Sequence, residues 1–272
     1  MKTILVLNNS VNSSNTAAVL ALSLAQHTGA HLLLVNMKPT ANTRAYKLVT
    51  VNGAGMRTAR PETGLQDMLT RLNEKTDAFK PDIRVLPGTA PTTAELVAII
   101  NSENISMVVS DVPGQDVSTK PDLQAILNKI TCPLLLIPQN FCKTRFEHMV
   151  YTTDLRYCKI EIVRYLAKLA EAYQSSLLIA HLSASGLPHL ADTYAESIFS
   201  HDIYPRAKYV RLCYQNIRER DITKAADVLI NGMHADMLVL ENHRFHFEEI
   251  FGRYIPHRLP SLLTVPVLIF PY

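Results

Sequence analysis

Long apolar runs are missing from this chain. Runs such as residues 32–35 and 134–137 are far too short to span a bilayer. Charge bias is missing too. The 27 Lys+Arg against 24 Asp+Glu leave a net charge of +3, which argues against a dedicated nucleic-acid binder. There are four cysteines, Cys132, Cys142, Cys158 and Cys213, and none stands in CxxC spacing. Scattered in this way they read as reduced, buried or idle thiols; zinc or redox work needs clustered ligands. The first residues show neither an apolar h-region nor a small-residue cleavage site, so the expectation is a cytoplasmic protein without a signal peptide. No GxxxxGK[ST] and no GxSxG occurs, which removes support for a P-loop enzyme or an ordinary α/β hydrolase.

What is present is apolar residues, and a repeat. At 272 residues and 47% hydrophobic, the chain can fill two cores of ordinary size, and a disordered chain is ruled out. Residues 20–37 and 165–182 align at an offset of 145, with Leu24/Leu169, Ala25/Ala170, Leu32/Leu177 and Leu33/Leu178 identical. Further on, Ile100-Asn101 matches Ile230-Asn231, Met107 matches Met237 and Val109 matches Val239 at an offset of 130. The ends agree again at 133, where Thr131, Pro133 and Pro138 face Thr264, Pro266 and Pro271. The changing offsets place extra residues of the first half between its second strand and third helix, and a few extra residues of the second half before its last helix. Such variation belongs in loops.

Within each half, apolar strands alternate with helical spacing. The first half reads as strand 3–8, helix 15–27 ended by Gly29, strand 32–37, a helix face of Leu65, Met68, Leu69 and Leu72, strand 82–86, helix 93–102, strand 106–110, helix 121–130 and strand 134–137. The second reads as strand 149–152, helix 157–173, strand 177–181, helix 191–199, strand 209–213, helix 221–231, strand 237–240, helix 248–253 with 259–263, and strand 267–270. This alternation predicts an α/β fold of two similar doubly wound, five-stranded parallel-sheet domains. Their bounds are 1–140 and 145–272, with a short connector near 139–145. The long connector 38–61, which holds Gly53-Ala-Gly55, is either a flap over a crevice or a surface excursion.

These features resemble the universal stress protein family in its tandem two-domain form. The residues that carry the resemblance are the opening Ile4-Leu5-Val6-Leu7, the unit ending Leu32-Leu33-Leu34-Val35-Asn36, the strand Met107-Val108-Val109 and the closing Thr131 to Pro138. In the second half they include Phe247 to Gly252 and Val265 to Ile269. The resemblance covers nearly the whole chain except 38–61. It implies an adenine nucleotide alpha hydrolase-like fold, with residues 134–137 and 267–270 lining the contact between the halves. It also implies where ATP or AMP would sit. The sites are an acidic residue after the first strand, the end of the second strand, and a loop after the fourth strand with two spaced glycines and a Gly-Ser or Gly-Thr. Glycines let backbone N–H groups approach phosphates, and a helix N-terminus favours the anion.

Both halves depart from that pattern. In the first, Asn9 follows the first strand where the acid is expected. The loop after the fourth strand keeps one glycine, Gly114, among Asp111, Asp116 and Asp122. In the second, Asp154 stands where the acid belongs and His181 ends the second strand. The loop from Asn242 keeps only Gly252, with Arg253 in the Ser/Thr place. Carboxylates beside a triphosphate repel it unless a metal intervenes. The expectation is that tight ATP binding is lost in the first half. A residual pocket for ATP or AMP, if there is one, lies in the second half, at Asp154, His181, Asn242, Gly252 and Arg253.

Other candidates read as ordinary surface or turn chemistry. His243 and His246 lie three apart without the further ligands a metal needs, and read as solvated loop histidines. Gly53-Ala-Gly55 lacks the third glycine of a dinucleotide fingerprint. Glu248-Glu249 read as helix-start charges. Arg206, Lys208 and Arg211 read as a solvated strand edge. Asp111 sits where open α/β sheets bind ligands, although aspartate is also a common turn residue. Three functions stay open. The first is a non-catalytic stress-response protein, an internal pseudo-dimer that binds an unidentified protein partner or small ligand; further homodimerisation is left open. The second is a nucleotide sensor that uses the second half. The third is a nucleotide-dependent hydrolase or transferase, for which no nucleophile–base pair is visible.

Overall fold

The computed structural model describes residues 2–8, 15–37, 63–76, 78–87, 90–112, 121–138, 141–256 and 259–272. Asn9, Gly114, Asp116, His257 and the whole 38–61 connector, Gly53 and Gly55 included, lie outside these residues. In the first half the chain runs β1 (Thr3–Asn8), α1 (Thr16–Thr28), β2 (His31–Asn36), α2 (Thr63–Glu74), β3 (Ile83–Val85), α3 (Thr93–Ser102), β4 (Ile105–Asp111), α4 (Leu123–Leu127) and β5 (Leu134–Ile137). The second half runs β6 (His148–Thr153), α5 (Ile160–Tyr173), β7 (Ser176–Leu182), α6 (Asp192–Ser197), α7 (Tyr204–Ala207), β8 (Leu212–Ile217), α8 (Ile222–Asp227), β9 (Met237–Glu241), α9 (Phe245–Phe251) and β10 (Val267–Phe270).

Among the described residues all ten strands join one sheet, in the order β3-β2-β1-β4-β5-β10-β9-β6-β7-β8. Every neighbouring pair is parallel except β5 with β10, which is antiparallel. The order therefore reads the same from either edge, and the two expected five-stranded sheets merge through their last strands. Strand registers follow the sequence offsets. Ile4 pairs with Leu32 and Met107, while Met149 pairs with Leu177 and Met237. Even backbone signs agree. Gly29 and Gln174, which end α1 and α5, are both left-handed at φ 65° and 56°, and Asn104 and His234 before β4 and β9 follow at 49° and 56°. Glycine adopts that conformation freely, whereas Gln174 does so at a cost of about 1 kcal/mol.

Helices cover both faces, and strand side chains alternate between them. Ile4 and Val6 join the core beneath α1 and α5, whereas Leu5 and Leu7 join the core beneath α3, α4, α8 and α9. Each fully buried leucine contributes roughly 1.5–3 kcal/mol, which is why unbroken apolar strands suit a sheet covered twice. Among the described residues no helix is long and apolar enough to cross a membrane.

Several expected boundaries move. The strand expected at 209–213 begins at Leu212. Lys208 turns left-handed after α7, and Tyr209 is buried with its hydroxyl donating to the Ser175 carbonyl, so 209–211 form the approach to the strand. The helix expected over 157–173 starts as a 3₁₀ turn, Leu155–Tyr157, and resumes at Ile160. That expected over 121–130 shortens to α4. The helix expected from 248 starts at Phe245, because Phe247, Ile250 and Phe251 form its buried face, and residues 259–263 are loop with a turn at 261–262.

Candidate functional site

In the second half the chain passes from β6 outward to β7 and β8, then returns to the other side of β6 as β9. Open α/β sheets bind ligands at such a reversal, outside the carboxyl ends of the strands. Here that place is bounded by Thr152 and Thr153 at the end of β6 with Asp154 following, by Glu241 at the end of β9 with Arg244 following, and by Tyr157, Phe245 and His246.

Asp154 ends β6 and is buried. Its Oδ1 accepts from the Arg156 backbone N–H (3.1 Å) and Nε (2.8 Å), and its Oδ2 from Arg156 Nη2 (2.5 Å) and the Ala184 N–H (2.9 Å). Burial alone would raise its pKa; the Arg156 side chain and the two backbone donors outweigh that and hold it below the usual carboxylate range. All of its acceptor capacity is spent on its own chain.

His181 is fully buried at the end of β7. Its Nδ1 lies 3.2 Å from the Leu155 N–H and 3.4 Å from the Thr153 carbonyl, so either tautomer finds a backbone partner there, and Nε2 has no hydrogen-bond partner among the described residues. His246, on the first turn of α9, is buried with Nε2 donating to the Leu182 carbonyl at 3.0 Å. Burial lowers the pKa of both rings despite hydrogen bonds and the nearby Asp154 carboxylate, so both are neutral at pH 7.

Glu241 ends β9 and is the residue that inspection of motifs passes over. It is buried. Tyr151, in the interior of β6, donates its hydroxyl to Oε1, Lys159 Nζ lies 3.2 Å from Oε2, and Arg244 Nε lies 3.9 Å from it. Aromatic rings flank these cations. Lys159 Nζ lies 5.0 Å from the centre of the Tyr272 ring, and the Arg244 guanidinium lies 5.1 Å from Tyr272 and 5.5 Å from Tyr157. A signal for Glu241 does exist in the repeat: at the offset of 130, it is the counterpart of Asp111. The space left among these groups is about 10 Å³, room for about one water molecule.

The remaining sequence candidates go elsewhere. Asn242 is buried at the seam between the halves. Its Oδ1 accepts from Gln124 Nε2 (3.0 Å), its Nδ2 donates to Asn128 Oδ1 (2.9 Å), and its N–H donates to the Phe270 carbonyl (2.8 Å). Gly252 closes the far end of α9 at φ 77°, and exposed Arg253 follows it, so neither borders the crevice. His243 and His246 do not share a face: exposed His243 precedes α9 and lies 3.0 Å from Asn128 Oδ1, while His246 is buried rather than solvated. Arg211 donates to the Gln174 carbonyl, and the Arg206 carbonyl accepts from Arg164, so these surface groups serve the fold.

In the first half, Asp111 ends β4 and accepts from the Ala17 N–H at the start of α1. Burial pushes its pKa up to about 6, against the lowering by that hydrogen bond. Asn8 and Asn36, which end β1 and β2, are joined by a 3.0 Å side-chain hydrogen bond.

Chemically the second-half crevice holds two ion pairs, Asp154 with Arg156 and Glu241 with Lys159, while Glu241 Oε2, Arg244 Nε and His181 Nε2 have no hydrogen-bond partner among the described residues. Burial pushes Cys132 and Cys158 up to about 12, so neither offers a thiolate at neutral pH. Among the described residues no three His, Cys, Asp or Glu side chains gather to hold a metal.

No protein-family model and no curated protein matches the chain. Solved structures do. A universal stress protein from Archaeoglobus fulgidus DSM 4304 superposes with a TM-score of 0.62 at 13% identity, over 98% of this chain and 95% of that one. A functionally unknown protein from Pseudomonas aeruginosa PAO1 gives a TM-score of 0.60 at 13% identity, over 98% and 92%. At that identity the likeness establishes architecture, and it runs along nearly the entire chain: this protein has the universal-stress-protein-like fold.

Proposed function

We propose that this is a non-catalytic binding protein of the universal stress type. Its two halves act as an internal pseudo-dimer, and its second-half crevice is closed against ATP and AMP by its own side chains. The observation that carries this reading is Glu241. It occupies the switch-point crevice, neutralises Lys159 there, accepts from Tyr151, and leaves about 10 Å³. Ligand pockets commonly measure about 300–1,000 Å³. A nucleotide would have to displace Glu241 and then face its charge. Asp154, the residue the family resemblance assigns to adenosine, is saturated by Arg156 and backbone donors. Tyr151, the hydroxyl that has a carboxylate beside it here, is fully buried under Glu241 and out of reach of a substrate, which supports a role without chemistry of its own.

Thermal shift with ATP and AMP tests the proposal. The expected result is no stabilisation of the native protein, and stabilisation of Glu241→Ala, in which Lys159 and Arg244 face an open space. Nucleotide retained through purification, or an ATP-induced shift that Asp154→Ala abolishes, would overturn it in favour of a nucleotide sensor.

A further inference from the structure

The halves meet on one face of the sheet through α1 and α5, and two grooves run between these helices, one at each end. At one end the connector between the halves fills the groove. Ser23 Oγ donates to the Thr144 carbonyl (2.6 Å), Lys143 pairs with Asp236 (2.6 Å), and buried Phe146 packs edge-on against Tyr173 at 5.3 Å. At the other end lies a cavity of about 260 Å³. It is floored by Ile4, Leu24, Met107 and Tyr165, and rimmed by Lys2, Lys168, His27 and Glu171.

The two grooves are counterparts, because Ile4 and Met107 correspond to Met149 and Met237 in strand register. Their charge is reversed. At the filled groove, Asp236 and Glu147 stand where the open one has Ser106 and Lys2, and Ser23 stands where the open one has Lys168. An acidic rim there receives a basic, aromatic-bearing segment that contains Lys143, Arg145 and Phe146. The open groove has the complementary design, an apolar floor under two exposed lysines opposed by one glutamate. It lies at the amino ends of β1 and β4, and none of its lining is shared with the Glu241 crevice.

We propose that this groove is a binding site for a small organic carboxylate with a compact aromatic or aliphatic body. The body lies on Ile4, Leu24, Met107 and Tyr165, and the carboxylate meets Lys168 and Lys2. The volume favours a small molecule over a peptide, since it lies just below the range of about 300–1,000 Å³ typical of small-ligand pockets. Charge selects the anion, and the floor selects the apolar body.

Titration calorimetry of the full chain with 3-phenylpropionate tests the site, with 3-phenylpropanamide as the uncharged isostere. The expected result is saturable binding of the acid and at least about tenfold weaker binding of the amide. Exposed Lys168→Glu should abolish binding without altering the fold, Lys168→Arg should retain it, and Ala172→Phe, which fills the cavity, should block it. The proposal fails if no saturation occurs below about 1 mM, or if acid and amide bind alike and ignore Lys168→Glu. It also fails if an acidic, aromatic-containing peptide saturates the site while the free acid does not. ATP binding that Lys168→Glu leaves unchanged bears on the crevice and not on this groove, so the two proposals fail separately.

Discussion

Leu135 of β5 pairs directly with Leu268 of β10, and each is the other's counterpart at the offset of 133. A pseudo-twofold axis therefore passes between two fully buried leucines at the middle of the sheet. The strands on either side are parallel within their own half, so this antiparallel pair is where the halves become one hydrogen-bonded body.

Leu268→Ala should cost about 2–5 kcal/mol, the range for a truncated, fully buried leucine. Because the sheet is continuous, the loss should appear as an earlier but still single unfolding transition. Denaturation followed by far-UV circular dichroism and by tyrosine fluorescence checks this. Two separated transitions would show that the halves unfold independently.

Asp154→Asn removes the charge that binds Arg156 while keeping one acceptor. The pair is buried on the Asp154 side and about one-fifth exposed on the Arg156 side, so Arg156 can turn to water. The expected loss is about 1–3 kcal/mol. Chemical denaturation measures it, and Arg156→Ala added to Asp154→Asn should cost little more if the two side chains act as one unit.

What the sequence makes legible follows from burial. Strands such as β1, β5 and β10 are unbroken apolar runs covered on both faces, and their bounds can be read directly. The helix 93–102 is equally plain, because Thr92 and Glu95 form a capping box. The crevice is only half legible. Asp154 and His181 lie where the strand pattern puts them, at the ends of β6 and β7. Glu241 carries no motif, because its meaning depends on Tyr151 and Lys159, 90 and 82 residues away, and no local pattern encodes such distances. Asn242, Gly252 and Arg253 are candidates by loop spacing alone. That spacing has no force once the loop folds into α9, which carries Gly252 about 10 Å beyond its start.

Protonation should act on stability in opposite directions at different sites. His181 and His246 have depressed folded pKa values, so between those values and the unfolded value near 6.5 the unfolded chain binds more protons and stability falls as pH falls. Asp154 and Asp236, held low by Arg156 and Lys143 respectively, add a second loss at lower pH, below about 4. Asp111 runs the other way. Its folded value near 6 lies above the unfolded value, so its contribution is complete below about 4 and is lost as pH rises through 6. Asp111→Asn cannot ionise and still accepts from the Ala17 N–H. Relative to the native protein it should gain about 2 kcal/mol between pH 4 and pH 7. Urea unfolding at a series of pH values measures the difference, and a variant whose stability runs parallel to the native protein throughout would show that Asp111 ionises freely in the fold.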